Sequence, residues 1–313
     1  MKEAFNLYIT MTISSNLLFF NNKPVKDFDP TTGLDDTSFA YRFRIEYDDR
    51  ETVVGLLEKM LADPKAATLE EIVIGIWDYE GGSSLSVRDW LITNAHQLPQ
   101  LKAIMFGDIT YEENEISWIE QTDMSPLLEA YPQLETFQVR GGMGLRFNQL
   151  AHEQLRKLTV ETGGLAPSTI EDVIQAKLPN LEHLELWLGS GYYGFESDVE
   201  DLAPLLRKST FPKLTYLGLR DSEIVDEIAL HLQDADILDI IEVLDLSKGA
   251  LSNKGAQALY DNPKIQQLQY LDLHYHYLSE ACMLKLDSLD LKVNLDEAQG
   301  EAAEDDRYIA VSE

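Results

Sequence analysis

The feature that most constrains this chain is a six-residue pattern of apolar positions that recurs toward its C-terminal end. Between residues 241 and 295 the pattern occurs as IEVLDL, LQYLDL and LDSLDL, each with apolar residues at the first, fourth and sixth positions. Such a pattern predicts a short strand whose inward side chains are buried only when the next copy stacks on it. The chain is therefore predicted to form a solenoid of stacked strands.

Weaker copies of the pattern precede these three, so that nine strands are predicted in all. The weaker copies begin at Leu69, Leu101, Leu134, Leu155, Leu181 and Leu214. Between the copies, apolar residues have helical spacing and the segments start with capping residues such as Asp198. This alternation predicts an α/β solenoid of about nine repeats, in which parallel strands line the inside of a horseshoe and helices form its outside.

The pattern divides the chain into three predicted parts, which are an N-terminal β-rich capping segment (1–67), the solenoid (68–295) and an acidic C-terminal tail (296–313). In the capping segment, alternating apolar residues predict strands at 5–13 and 39–47, followed by a helix from about 51 to 61. Such a segment covers the core face that the first repeat would otherwise expose. The tail is expected to be solvated, but Tyr308, Ile309 and Val311 are apolar enough to dock on the rest of the protein.

The charge balance narrows the classes of partner. With 55 acidic and 25 basic residues, the chain has a formal net charge of −30, which disfavours binding to nucleic acid and to anionic membranes. A partner with a basic patch is the expected complement. The single cysteine, Cys282, cannot form an internal disulfide, which favours a cytoplasmic location, and the period-two alternation at 5–13 argues against a secretory signal.

The repeats at residues 69–295 resemble the ribonuclease-inhibitor-like class of leucine-rich-repeat proteins. More closely, the chain resembles a family of bacterial cytoplasmic leucine-rich-repeat proteins of unassigned activity. Three segments carry this resemblance: NNKPVKDFDPTTGLDD at 21–36, AYRFRIEYDD at 40–49 and RYIAVSE at 307–313. The resemblance implies no catalytic residues. The chain departs from the repeat consensus at the ninth position, where only Asn294 matches the usual Asn or Cys.

The third, fifth, seventh and eighth residues of each copy are expected to face the hollow of the horseshoe. In the later repeats they form an acidic row of Glu185, Asp245, Asp272 and Asp290, interrupted by Gly218. Aromatic residues and an arginine stand beside this row, and these residue types anchor protein interfaces. The predicted binding residues are Trp187, Tyr216, Arg220, Asp245, Tyr270, Asp272, His274 and Tyr275. The sequence thus favours a non-enzymatic scaffold for a protein or peptide over the simpler interpretation that these side chains only cover the strands and keep the protein soluble.

Several motifs for other chemistry are present but incomplete. The sequence GSGYYG (Gly189–Gly194) matches the dinucleotide pattern formally, but two tyrosines occupy the phosphate space and acidic residues follow. His274 and His276 lack a clear third metal ligand, and Asp27 and Asp29 fit an Asx turn better than a calcium loop. We therefore predict no cofactor, metal or catalytic residue. The alternative is an enzyme or small-molecule receptor that uses the Gly189–Gly194 loop or the His274 region. The oligomeric state stays open.

Overall fold

The computed structural model describes residues 12–48 and 50–312. Nearly all of the strand predicted at residues 5–13 lies outside them. The described residues form two compact units, an N-terminal unit (residues 13–160 with 175–178) and a C-terminal unit (residues 161–174 and 179–312, with residue 12). None of the described helices is long and apolar enough to cross a bilayer.

The N-terminal unit alternates short strands with helices. Its strands are β1 (Phe19–Phe20), β2 (Lys23–Asp27), β3 (Ala40–Phe43), β4 (Glu71–Ile74), β5 (Ala103–Phe106), β6 (Thr136–Arg140) and β7 (Lys157–Glu161), and its helices are α1 (Val53–Leu61), α2 (Leu85–Thr93) and α3 (Ser125–Ala130). Strands β2 to β6 pair in chain order and are parallel, whereas β1 is antiparallel to β2.

The C-terminal unit repeats the same alternation. Its helices are α4 (Pro167–Gln175), α5 (Val199–Leu202), α6 (Val225–His231), α7 (Asn253–Asp261) and α8 (Glu280–Asp287), and its strands are β8 (His183–Gly189), β9 (Tyr216–Ser222), β10 (Val243–Asp245), β11 (Tyr270–Asp272) and β12 (Lys292–Asn294). Strands β8 to β12 are parallel and also pair in chain order. The predicted α/β leucine-rich-repeat solenoid is thus confirmed.

The strand register follows the predicted apolar frame. In the N-terminal unit Ile72 pairs with Ile104, and in the C-terminal unit Leu217 lies between Leu184 and Leu244. All of these fourth-position side chains are fully buried. Burying each one contributes roughly 2 kcal/mol, so a shift of one residue, which would turn the whole set outward, is strongly disfavoured.

The last repeat does not follow the predicted frame. Leu286, the first residue of LDSLDL, belongs to α8 and is buried there one helical turn after Cys282. The strand of this repeat is instead β12, whose Asn294 pairs with Asp272. The prediction was wrong because LDSLDL satisfies a helical period as well as a strand period. Asp290 is therefore not level with Asp272, and Asn294 does not occupy a ninth position.

The segment before the repeats adds β2 and β3 to the same parallel order. The strand predicted at 39–47 is limited to β3, where Tyr41 and Phe43 are buried. Helix α1 begins two residues later than predicted, because the hydroxyl of Thr52 accepts a hydrogen bond of 3.0 Å from the Gly55 amide and caps the helix there. The boundaries at residues 67 and 295 stay predictions.

Candidate functional site

Strands β8, β9 and β10 carry a hydrogen-bonded network on one face of the sheet. Glu185 Oε1 accepts hydrogen bonds from Arg220 Nη1 at 2.6 Å and from Trp187 Nε1 at 2.8 Å. Arg220 Nε lies 3.2 Å from Asp245 Oδ2, and the same carboxylate oxygen accepts a 2.6 Å hydrogen bond from the Tyr216 hydroxyl. The arginine therefore links two carboxylates from strands on either side of its own.

Gly218 gives space to two members of this network. It lies in register between Glu185 and Asp245, at the point where the predicted acidic row is interrupted. A Cβ atom at this position would lie 3.1 Å from the Tyr216 ring and 3.2 Å from Glu185 Cγ. Glycine at this position therefore leaves the Tyr216 ring and the Glu185 side chain without a tight contact.

The network sets the protonation states of Glu185, Tyr216 and Arg220. Burial by itself raises the pKa of Glu185, but the hydrogen bonds from His183 and Trp187 and the charge of Arg220 together hold that pKa well below its ordinary value. Burial and the two nearby carboxylates raise the pKa of the Tyr216 hydroxyl, whereas the same carboxylates keep the pKa of Arg220 high in spite of its burial. At neutral pH the network consequently holds a charged acid, a charged arginine and a neutral tyrosine.

A second cluster lies on the next strand, β11. Asp272 accepts hydrogen bonds from the Tyr270 hydroxyl at 3.2 Å and from both the amide and the Nδ1 of His274, at 3.0 and 2.7 Å. Burial opposes ionisation of Asp272, but the bonds from His274 lower its pKa on balance. Lys292 Nζ lies 4.9 Å from the centre of the Tyr270 ring, which is within cation–π distance.

Seven of the eight predicted binding residues belong to these two clusters, and Tyr275 lies apart from them. Five of these seven predicted residues are half-buried, and we call them the β8–β11 face. They are Tyr216, Arg220, Tyr270, Asp272 and His274. Trp187, Asp245 and Tyr275 are only 7%, 5% and 4% exposed. Trp187 is in contact with the cations of Arg220 and Lys248, which lie 5.2 and 5.3 Å from its ring.

Four further residues of the clusters were not among the predicted eight. They are His183, Glu185, Lys248 and Lys292. His183 stacks on Tyr216 with a ring separation of 3.8 Å and an angle of 9°. The repeat frame places all four at positions that face the hollow, so the signal for them was present. The frame gives Lys292 the seventh position of the last repeat, whereas in the structure it pairs with Tyr270, a third-position residue.

The alternative sites have structural explanations. The Gly189–Gly194 loop contains a short 3₁₀ turn and no helix begins before Val199, so it lacks the helix start that binds a pyrophosphate. His276 uses its ring nitrogens for main-chain bonds to Leu295 and Leu278. Asp29 forms the expected Asx turn. Among residues 12–48 and 50–312, no group of three or more His, Cys, Asp or Glu side chains is placed to hold a metal ion.

The fold and these clusters define a leucine-rich-repeat protein with an ordered polar and aromatic sheet face. A solved structure of a Bacteroides fragilis protein is 34% identical to this chain, with a TM-score of 0.79, and the match covers 86% of this chain and 76% of that one. The chain belongs to the family of this Bacteroides protein. An internalin from Listeria monocytogenes matches at 13% identity and a TM-score of 0.36 over 85% of this chain and 62% of its own. No family model and no curated protein matches.

Proposed function

We propose that this protein is a non-enzymatic scaffold that binds a protein or peptide partner through the β8–β11 face. The observation that carries the proposal is that the half-buried side chains of this face are held by carboxylates of the two clusters. Tyr216 and Arg220 bond to the buried Asp245 and Glu185. Tyr270 and His274 bond to Asp272. Tyrosine and arginine are the residue types that contribute most to interfaces. Because these side chains are already held in place in the free protein, less side-chain entropy of this protein is lost when a partner binds them.

The partner is expected to carry a basic patch. The chain has a net charge of −30, and Asp272 is the half-exposed carboxylate at the centre of the second cluster. Association with a basic partner is then charge-steered, and its rate falls as salt is added. We further propose that the protein belongs to the ribonuclease-inhibitor-like subclass, works in the cytoplasm and binds neither nucleic acid nor membrane. The single cysteine, Cys282, is buried and forms no disulfide, which supports a location in the reducing cytoplasm.

Paired substitutions test the face. Replacing Tyr270 and His274 by alanine removes two half-exposed contacts without opening the buried Glu185 network, so the fold should remain intact. We expect capture of the native partner, quantified by mass spectrometry, to fall at least tenfold. Tyr192→Ala is the matched control, because Tyr192 is 93% exposed in the Gly189–Gly194 loop. Equal capture by the double variant and the wild type would rule out the β8–β11 face.

The alternative function is a small-molecule receptor or enzyme at the His274 region or the Gly189–Gly194 loop. The observation that favours it is the orientation of the His274 imidazole by Asp272, since a carboxylate that orients a histidine is a common arrangement in acid–base catalysis. A thermal-shift screen with nucleotides and divalent cations separates the two functions. A ligand that binds only the folded state raises the melting temperature, and a shift abolished by His274→Ala or by Tyr192→Ala would favour the alternative.

A further inference from the structure

The C-terminal residues 307–311, which we call the terminal strap, lie across the ends of strands β9 to β11. The Ala310 amide donates a 2.8 Å hydrogen bond to the carbonyl of Lys248, and the Val311 amide donates one of 2.9 Å to Asp221 Oδ1. The hydroxyl of Tyr277 accepts from the Tyr308 amide at 2.9 Å and donates to the Tyr308 carbonyl at 3.0 Å. The strap is thus held largely through its main chain.

The aliphatic side chains of the strap are buried in the surface that receives it, which we call the groove. Ile309 and Val311 are only 2% and 3% exposed, whereas the Tyr308 side chain is more than half exposed. At the start of the strap, Arg307 Nη1 donates to the carbonyl of Ala250 at 2.8 Å and lies 3.2 Å from Asp226 Oδ2. Main-chain hydrogen bonds combined with pockets for alternate side chains are the way in which proteins recognise extended peptides.

The groove is built from one position of three successive repeats. Asp221, Lys248 and Tyr275 are the eighth residues of their repeats, and all three have left-handed backbone, with φ of 52°, 67° and 62°. This conformation is disfavoured for residues other than glycine, and it persists where the surrounding structure and the function require it. Here it forms a row at the strand ends that contacts the strap through a carboxylate, a carbonyl and a hydroxyl.

The strap is connected to the last repeat by an exposed segment. Residues 300–306 are all exposed, and Gly300, at φ +84°, has no neighbouring atom within 4 Å of its would-be Cβ. Within this linker, Glu301 Oε2 accepts a 3.1 Å hydrogen bond from Asn253 Nδ2, and both residues are at the surface. Asp221 Oδ2 is buried without a hydrogen-bond partner, so the attachment of the strap is incomplete at its last anchor.

We propose that this groove is a binding site for an extended peptide with the pattern basic, aromatic, aliphatic, small, aliphatic, and that the terminal strap occupies it in cis until a partner segment of this chemistry replaces it. The strap itself shows which chemistry fits. The site is distinct from the β8–β11 face, and the inference does not rest on the function proposed for that face.

Cleavage of the linker provides the test. A protease recognition sequence inserted after Gly300 in the full chain allows the strap to be cut free of the repeats under native conditions. A fluorescein-labelled peptide RYIAVSE should then bind the cut protein, measured by anisotropy. It should bind the uncut protein at least tenfold more weakly, because the tethered strap competes at an effective concentration in the millimolar range. A peptide with aspartate in place of the isoleucine and the valine should not bind.

A second arm avoids cleavage. The full chain with Ile309→Asp and Val311→Asp should leave the groove open and bind the labelled peptide at least tenfold more tightly than the wild type. The matched control is Glu304→Gln with Asp305→Asn, which changes charge in the exposed linker only and should behave as the wild type. The proposal is overturned if the strap stays bound after cleavage and does not exchange with the peptide, or if the aspartate-containing peptide binds equally well.

Discussion

In each unit, a buried aspartate at the same repeat position holds a segment from near one end of the chain. The two units differ in how the charge of this aspartate is compensated. Asp108 in the N-terminal unit and Asp221 in the C-terminal unit are each the eighth residue of a repeat, and both are fully buried. Asp108 accepts the amide of Leu17 at 3.1 and 3.2 Å, and Asp221 accepts the amide of Val311 at 2.9 Å. Each carboxylate thus anchors a segment that is about ninety residues away in sequence.

The two aspartates differ in the cations that surround them. Arg42 Nη1 forms a 2.9 Å ion pair with Asp108, and Arg140 Nη1 lies 3.6 Å from the same carboxylate. Within the described part of the chain, Asp221 has no ion pair, and burial raises its pKa to about 8. A buried acid is tolerated either by pairing it or by letting it keep its proton. The first solution predicts a fixed segment, and the second predicts one whose attachment depends on pH.

The largest effect is expected from removing the pairing cation. In Arg42→Met, Asp108 remains buried with only the more distant Arg140, and breaking a buried pair in this way costs about 3 kcal/mol. We expect the free energy of unfolding, measured by urea denaturation, to fall by about that amount. Lys26→Met is the control, because its ion pair with Asp35 is exposed and its loss should not be measurable. If the two variants are equally stable, the contrast between paired and unpaired anchors is wrong.

The next effect is the pH dependence of the strap. Because its pKa rises from an ordinary value of 3.8 to about 8 on burial, Asp221 binds its proton more tightly when the strap is docked. Its contribution to docking is therefore complete below about pH 4 and is lost as the pH rises to about 8, by up to tenfold per pH unit. Lys248 and Arg220 are the cations that face Asp221, and Tyr275 lies beside it.

Hydrogen exchange of the Ala310 and Val311 amides measures this dependence. After correction for intrinsic exchange, protection should fall between pH 5 and pH 8. The variant Asp221→Asn keeps an acceptor for the Val311 amide but cannot titrate, so its protection should be constant over that range. Protection of the Leu17 amide in the N-terminal unit serves as an internal reference. A wild type whose strap protection does not change with pH would show that Asp221 does not control docking.

The fold could be predicted from the sequence because the repeats share one frame. The burial of the site residues could not be predicted in this way. The leucines at the fourth positions determine strand register locally, so most of the frame followed from spacing alone. The error at LDSLDL arose where one hexapeptide suits both a helix and a strand. Trp187 and Tyr275 were predicted as accessible, but Lys248 and the strap cover them. Contacts between residues of different repeats, and with a distant segment, are not encoded in any local pattern.

The smallest effect is expected at Lys248, which joins the two sites of the C-terminal unit. Its ammonium lies 5.3 Å from the Trp187 ring and faces Asp221, and burial lowers its pKa. Lys248→Met keeps most of the packing but removes a cation–π contact, which contributes about 0.5–1 kcal/mol to the free energy of unfolding. Loss of this positive charge should also raise the pKa of Asp221 further, so the variant should lose strap protection more at pH 9, where Asp221 of the wild type is ionised, than at pH 6, where Asp221 is protonated in both proteins. An equal loss at both pH values would mean that Lys248 acts on the strap through packing and not through the charge of Asp221.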